Sequence, residues 1–410
     1  MDNLIKKDIL RILAKVNDAL KKNDVKKISE TSDEINHNSS IFQDEDSITL
    51  AVVVYATSKI KYDSKIKDLF KKAKLALSRS DYENYREFIK KITGHIHEID
   101  SKMNNYVLHV YNAAEVKKGS KLFSNGISLP RVAELLNISQ WELMSYMGKT
   151  NISDTFEKDK KLRKRLNHVR SFIGVGKIIV FDTGPIISLT LNNLLWLIEA
   201  LHREFRGSFY IPIAVKKELI DRPLQTKKFK FEALQIIQYI GNGTLEVIEN
   251  DFILSKTRYL MDLANRCFKA KGKWIQMIQE GEMEALATAL YFKTDTVVVD
   301  ERITRMLIEN PPDVKYTLQR RLHTGVQMNT ENVKKLHDEI KHFKVIRSVE
   351  LVTIAYELGL LNKYMGREQQ MAVKDIRKAL LEGVLWAVKL NGCSVSRDEI
   401  EDIIKIEKDV

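Results

Sequence analysis

The stretch KIIVFDTGPIISLT, Lys177–Thr190, joins an apolar run to what looks like the start of a helix. Ile178–Phe181 are continuously apolar, which is typical of a strand buried on both faces of a parallel sheet. Asp182 ends the run, and Pro185 lies in the first turn of the following helix, where its missing N–H costs nothing. An aspartate at this place is either a turn former or a ligand of a metal site. The rest of the chain decides between the two.

Further apolar runs alternate with helical patterns through the carboxyl-terminal half. They are SFYIP (208–212), TLEVIE (244–249), DTVVVD (295–300) and KVIRSV (344–349). This alternation predicts an α/β fold with a parallel, doubly wound sheet that has helices on both faces. A family resemblance, described below, implies that this domain covers residues 176–410, with an insertion at 311–345.

The front of the chain has a different pattern. Residues 1–115 contain no proline and carry apolar residues at helical spacing, as in Ile5, Ile9 and Ile12. This pattern predicts an all-α region of helical hairpins, typical of an interaction or scaffold domain.

Residues 116–156 predict a helix-turn-helix-like unit. Ser128 can cap a first helix, Asn137 suits a tight turn, and Ser139 with Glu142 forms a capping box for a second helix. That second helix would present Gln140, Trp141, Ser145 and Tyr146 outward. A helical hairpin or a winged-helix-like fold for protein contacts is the alternative.

Residues 157–175 form a basic segment. EKDKKLRKRLNHVR, 157–170, has seven Lys and Arg residues against two acids. It is either a solvated helical linker or an arm that contacts phosphates.

Composition limits the class of protein. The chain has 410 residues, 44% hydrophobic and 30% charged, with a net charge of +12, which favours an anionic partner, first nucleic acid and then an acidic membrane surface. Its two cysteines, Cys267 and Cys393, form no disulfide or zinc motif, and the charged amino terminus does not resemble a signal peptide. No apolar run approaches the roughly 20 residues of a membrane span. We expect a soluble, cytoplasmic protein.

Acidic residues fall where a site is expected. Asp182 and Asp300 each follow a predicted strand, and ligands bind at the carboxyl ends of such strands. Glu282 and Glu284 point about 200° apart on one helix. Glu284 borders a surface of small residues that favours burial, whereas Glu282, like Glu280, suits the positive amino-terminal end of that helix.

Four segments carry a resemblance. VFDTGPIISL (180–189), IPIAVKKELID (211–221), GEMEALATAL (281–290) and VVVDERITRML (297–307) resemble, in this order, the PIN-domain family. They are most similar to its branch with a Gly-Glu-x-Glu-Ala motif. Residues 347–364 and 379–404 resemble the closing strand and helices of that branch.

The resemblance implies a Mg²⁺- or Mn²⁺-dependent endoribonuclease that cleaves RNA. Catalytic and metal-ligating positions match Asp182, Glu218, Glu284 and Asp300, with Glu282 as an alternative ligand. Thr183 matches a residue that supports a metal-bound water. Hard divalent cations take oxygen ligands, and a cation relieves the repulsion among clustered carboxylates.

Basic residues near these motifs predict contacts with nucleic acid; they are Arg302, Arg305, Lys216, Lys217, Lys227 and Lys228. Three further partners stay open as predictions: DNA at the helix-turn-helix-like unit, a protein at the helical region and a second copy of the chain in a homodimer.

Insertion 311–345 is a substrate-binding extension, a lid or a solvated helical elaboration. One alternative function is a non-catalytic nucleic-acid-binding regulator or RNA-processing scaffold. Another is a toxin–antitoxin-type ribonuclease with a fused DNA-binding unit.

Overall fold

The chain divides into two compact units in a computed structural model that describes residues 1–60, 63–102, 110–125, 127–148 and 161–407. The first unit comprises Met1–Ile138, Phe268–Gln276 and Tyr316–Gln327, and the second comprises Ser139–Cys267, Met277–Lys315 and Met328–Val410. Residues 149–160 lie outside the described residues. They comprise the last part of the predicted helix-turn-helix-like unit, 149–156, and the first part of the basic segment, 157–160.

The first unit is built mainly from helices. They are α1 Asn3–Lys22, α2 Val25–Phe42, α3 Glu45–Thr57, α4 Ser64–Ser78, α5 Tyr82–Lys102, α6 Val110–Ser124 and α7 Leu129–Leu136. In α1 the apolar residues at helical spacing, such as Ile9, Ile12 and Leu13, are buried. Asp2 caps this helix by accepting a hydrogen bond from the Leu4 N–H. Burial of one apolar face per helix holds the unit together.

The described residues contain eight strands. They are β1 Ile178–Phe181, β2 Ser208–Pro212, β3 Glu246–Ile248, β4 Phe268–Ala270, β5 Lys273–Trp274, β6 Thr296–Val298, β7 Val326–Met328 and β8 Lys344–Ile346. Five of them form a parallel sheet in the order β3-β2-β1-β6-β8. Each of the five predicted apolar runs supplies one of these strands, and helices flank the sheet, so the α/β prediction is confirmed.

The remaining helices belong wholly or partly to the second unit. They are α8 Gln140–Gly148, α9 Leu162–Arg170, α10 Thr183–Leu191, α11 Trp196–Phe205, α12 Ile213–Lys216, α13 Arg222–Leu224, α14 Lys230–Gly241, α15 Asp251–Ala264, α16 Glu280–Tyr291, α17 Arg302–Glu309, α18 Pro311–Leu322 (which ends in the first unit), α19 Thr330–Ile340, α20 Ser348–Glu357, α21 Arg367–Ala372, α22 Ile376–Leu390 and α23 Arg397–Ile406. A π-helical turn, Lys217–Asp221, joins α12 to α13, and a 3-10 helix covers Leu360–Tyr364. Among the described helices, none is both long and apolar enough to span a bilayer.

Strands β4, β5 and β7 form a small second sheet that the sequence did not predict. β4 and β5 pair antiparallel through a two-residue turn, Lys271-Gly272, in which both residues have positive φ (45° and 79°). A two-residue hairpin turn of this kind follows the twist of the strands. Strands of two or three residues are too short to produce a visible alternation in the sequence.

Strand order in the large sheet creates a crevice beside β1. The chain proceeds from β1 outward to β2 and β3, and then returns to the other side of β1 as β6 and β8. In open α/β sheets ligands bind outside the carboxyl ends of the strands at such a reversal. The Asp182 N–H donates to the Val298 carbonyl (3.0 Å), so the ends of β1 and β6 are in register. Asp182 and Asp300 therefore follow two adjacent strand ends.

Helices α7 and α8 pack within different units. α7 packs against α3 and α6, and Asn137 ends it with a positive φ of 51°, as predicted. α8 packs against α10 and α22. The outward orientation expected for Gln140 and Trp141 is wrong, since they are 5% and 1% exposed. Trp141 stacks on Phe229 with ring centroids 5.5 Å apart, which explains its burial.

Candidate active site

Asp182 occupies the crevice at the end of β1 and is only 4% exposed. Burial, then the negative charges of Glu218 and Asp300, raises the pKa of its carboxyl to about 7. The backbone N–H groups of Thr183 and Gly184 oppose this rise of the pKa. The aspartate is thus a buried acid with acidic neighbours rather than a turn former alone.

Glu218 reaches the same region from the π-helical turn that follows α12. Thr183 donates its hydroxyl to Glu218 Oε2 at 2.6 Å, so the residue after Asp182 holds this second carboxylate. Burial raises the pKa of Glu218, and the hydrogen bond from Thr183 opposes that rise. The Glu218 carboxylate lies against Gly281, where an added Cβ would be 3.5 Å from Oε2.

Glu282 is completely buried in the first turn of α16. Its Oε2 accepts a hydrogen bond from the Gln279 N–H at 2.9 Å and so caps the helix. Its Oε1 is buried without a hydrogen-bond partner. Burial, then the charges of Asp182 and Glu301, raises the pKa of Glu282 well above its usual value, and Glu218 adds to this effect.

Glu284 points elsewhere. Its Oε2 accepts a hydrogen bond from the Ala214 N–H at 2.7 Å, at the start of α12. Burial raises the pKa of Glu284 to about 6, and its charged neighbours are Glu280, Lys217 and Glu249 rather than Asp182. The structure therefore brings Glu282, and not Glu284, into the electrostatic neighbourhood of Asp182 and Glu218.

Asp300 borders this group but is held by β8 and α20. Ser348 donates its N–H to Oδ1 and its hydroxyl to Oδ2, both at 2.8 Å. Burial raises the pKa of Asp300, while the bonds from Ser348 and Cys393 and the charge of Arg347 lower it. Ser348 is not among the site residues predicted from the sequence. It follows β8, the neighbour of β6, with only Arg347 between, and this position was the available signal because polar groups at adjacent strand ends meet.

Metal ligation depends on how closely these carboxylates approach one another. Across the described residues, no three His, Cys, Asp or Glu side chains form a group that could hold one metal ion. Thr183, Gln279 and Ser348 each donate a hydrogen bond to one of the carboxylates.

Two of the predicted phosphate-contacting residues lie in the interior. Arg302 is 9% exposed and Arg305 is 5% exposed. Arg305 donates to the Ser394 carbonyl at 3.3 Å. Their placement in α17 makes them packing and hydrogen-bonding residues rather than surface contacts for a substrate.

The predicted lysines lie nearer the surface. Lys216 pairs with Asp221 at 3.0 Å, and Lys228 pairs with Glu142 of α8. Lys217 and Lys227 are exposed. A nucleic-acid contact stays a prediction for these four residues.

Comparison of the chain with protein-family models, with curated proteins and with solved structures gives no match.

Proposed function

We propose that this chain is a divalent-metal-dependent ribonuclease whose second unit has a PIN-like fold and acts through Asp182, Glu282 and Glu218, with Asp300 at the border of the site. The observation that carries the proposal is the state of Glu282. It is fully buried, one of its oxygens has no hydrogen-bond partner, and the charge of Asp182 raises its pKa. Two buried carboxylates that disfavour each other's ionisation are costly unless a cation accompanies them.

The donor set fits a hard divalent cation such as Mg²⁺ or Mn²⁺. It consists of oxygen atoms, and the partnerless Glu282 Oε1 is one of them. Mg²⁺ in proteins is usually bound by one or two carboxylates, with waters and substrate phosphates completing its shell. Asp182 and Glu282 would hold the ion, so a cluster of three side chains is not required. A cation in such a site lowers the pKa of coordinated water and neutralises charge on a phosphodiester.

The chain's own residues fix the remaining groups. Thr183 orients Glu218 by a 2.6 Å hydrogen bond, and Ser348 fixes both oxygens of Asp300. The helix cap at Gln279 orients Glu282. Groups preset in this way need little reorganisation when a substrate arrives. The net charge of +12 supports a polyanionic substrate, and the motif resemblance makes RNA the proposed one.

A non-catalytic nucleic-acid-binding scaffold is the second candidate. The arrangement of Asp300 favours it, because Ser348 already occupies both carboxylate oxygens. The lack of a three-ligand group among the described residues points the same way.

Cleavage assays on labelled RNA separate these functions. Single-stranded and hairpin RNA are incubated with wild-type protein and with Asp182→Asn, Glu282→Gln and Glu284→Gln, in Mn²⁺, Mg²⁺ or EDTA. We expect metal-dependent cleavage by the wild type and a loss of roughly 10²-fold or more in Asp182→Asn and Glu282→Gln. A metal ion contributes several kcal/mol at the transition state, and each 1.4 kcal/mol is tenfold in rate.

Glu284→Gln is the matched control on the same helix. Its amide oxygen can still accept the bond from the Ala214 N–H, so cleavage should persist. Loss in Glu284→Gln with retention in Glu282→Gln would show that the wrong glutamate had been assigned. No cleavage of either RNA by the wild type would favour the scaffold.

A further inference from the structure

A basic cleft lies in the second unit, at the end of the large sheet opposite to the carboxylates. Its volume is about 630 Å³, within the range of ligand pockets. Helix α9, the end of α17, helix α19 and the start of β8 form its walls. Lys344 begins β8, and His168 Nε2 lies 3.2 Å from the hydroxyl of Thr296, which begins β6. Asp182 and Asp300 instead follow the other ends of their strands, so the cleft is separate from the candidate active site.

One face of α9 supplies most of the charge. The lining includes Lys161, which directly precedes this helix, together with Lys164, Arg165 and His168 of the helix itself; Asn167 also contributes. Their spacing of three and four residues puts them on one side of the helix. The other side is anchored in the interior by Leu162, Leu166 and Val169. The basic segment noted in the sequence therefore has a fixed orientation from Leu162 to Arg170.

Positive charge exceeds negative charge in the cleft. Its lining carries five Lys and Arg side chains, two of them Lys341 and Lys344, and a single acid, Glu309. Glu309 pairs with Arg165 at 3.0 Å. Outside the lining, Asp338 pairs with Lys341 and Asp295 pairs with Lys344, both at 2.7 Å. Lys161 also lies 3.7 Å from Glu309, so four of the five cations have an acidic neighbour, while the lining itself carries five cations and one acid.

We propose that this cleft binds the phosphate groups of a polyanionic ligand. The cations lie on three separate elements: α9, the end of α19 and β8. This arrangement matches a ligand with several negative charges, whereas a ligand with a single carboxylate would need only one of these cations. Lysine provides point charges for phosphate, and the fixed helix face presents them without reordering. The phosphates belong either to an RNA backbone or to a small compound that carries them. This binding does not depend on the nuclease proposal.

The test compares two double variants. The cleft variant combines Lys164→Gln with Lys341→Gln and so removes one exposed lysine from α9 and one from the end of α19. The matched pair combines Arg163→Gln with Lys334→Gln and removes exposed charges from the same two helices outside the cleft lining. Full-length protein in EDTA is titrated with inorganic pyrophosphate by calorimetry. A fluorescent single-stranded RNA is titrated by anisotropy over a series of salt concentrations.

We expect the cleft variant to bind at least one probe roughly 10-fold more weakly, and the matched pair to bind as the wild type does. For RNA, the salt slope should fall by about 1 to 2, since each phosphate contact releases about one counterion. A loss confined to RNA identifies the backbone as the ligand, and a loss confined to pyrophosphate identifies a small phosphate compound.

Equal behaviour of the two double variants, or no binding of either probe by the wild type, would overturn the proposal. EDTA prevents metal-dependent cleavage during the titrations. The binding result therefore does not depend on whether the wild-type protein is a nuclease. Far-ultraviolet circular dichroism checks that both variants are folded.

Discussion

Arg347 provides the sharpest test of the packing beside the candidate active site. It is fully buried at the end of β8, next to Ser348, which holds Asp300. Its guanidinium donates to Glu399 at 2.9 Å, to Glu350 at 2.5 Å and to the Ser394 carbonyl at 2.9 Å. The two carboxylates are 1% and 0% exposed, so water cannot replace the arginine.

Arg347→Met should lower the free energy of unfolding of the second unit by about 3–5 kcal/mol. The change leaves two buried carboxylates without their cation, and breaking a buried ion pair from one side typically has this effect. A stable domain has only about 5–15 kcal/mol in total. Urea unfolding followed by tryptophan fluorescence measures the change, because three of the four tryptophans, Trp141, Trp196 and Trp386, belong to the second unit, and Trp274 of the first unit is replaced by Phe in all variants.

Arg397→Met is the matched control. Arg397 pairs with Glu401 at 3.0 Å on α23, but the two side chains are 70% and 50% exposed. Its loss should change the free energy of unfolding by less than about 1 kcal/mol. An effect of Arg347→Met no larger than that of Arg397→Met would contradict the role assigned to the buried ion pairs. Adding Glu350→Gln and Glu399→Gln to Arg347→Met should restore part of the lost stability, since the unpaired charges are then removed.

Two further predictions concern pH and backbone packing. Burial, then the charges of Lys344 and Lys177, lowers the pKa of His168 from 6.5 to about 4. Its contribution to stability is therefore complete above about pH 6.5 and is lost as the pH falls towards 4. His168→Gln should reduce this acid-induced loss of unfolding free energy by about 1–2 kcal/mol, after a discount for the partial exposure of the imidazole. Urea unfolding at about pH 6.5 and about pH 4 measures the change. A difference from wild type that is independent of pH would contradict the prediction. At Gly207 an added Cβ would lie 1.9 Å from the Lys177 carbonyl oxygen, so Gly207→Ala should destabilise the protein by about 1–3 kcal/mol or more in thermal unfolding. Gly241→Ala, which meets nothing within 4 Å, is its control, and similar effects for both would exclude the steric explanation.

Burial on both faces made the large sheet predictable. The run Ile178–Phe181 is continuously apolar because helices cover both sides of β1, and Thr296–Val298 is fully buried for the same reason. Aspartates after these strands indicated the position of the site, since strand ends and strand order bring them to one edge.

The choice between Glu282 and Glu284 could not be made from the sequence. Both side chains are buried, at 0% and 1% exposed, so burial does not distinguish them. Their roles depend on their neighbours. The charge of Asp182 acts on Glu282, whereas Glu284 accepts a hydrogen bond from the Ala214 N–H. Those neighbours are about 70 to 100 residues away in the chain, and periodicity within one helix carries no information about them.

The discontinuous first unit has a consequence for synthesis of the chain. Helices α1 to α7 are complete at Ile138, but the last segment of the unit, Tyr316–Gln327, is made roughly 190 residues later. At about 5–20 residues per second, the ribosome needs on the order of 10–40 seconds to cover that distance. Asp182, Glu218, Glu282 and Asp300 all emerge within this interval. The four carboxylates of the candidate active site are thus translated before the chain of the first unit is complete.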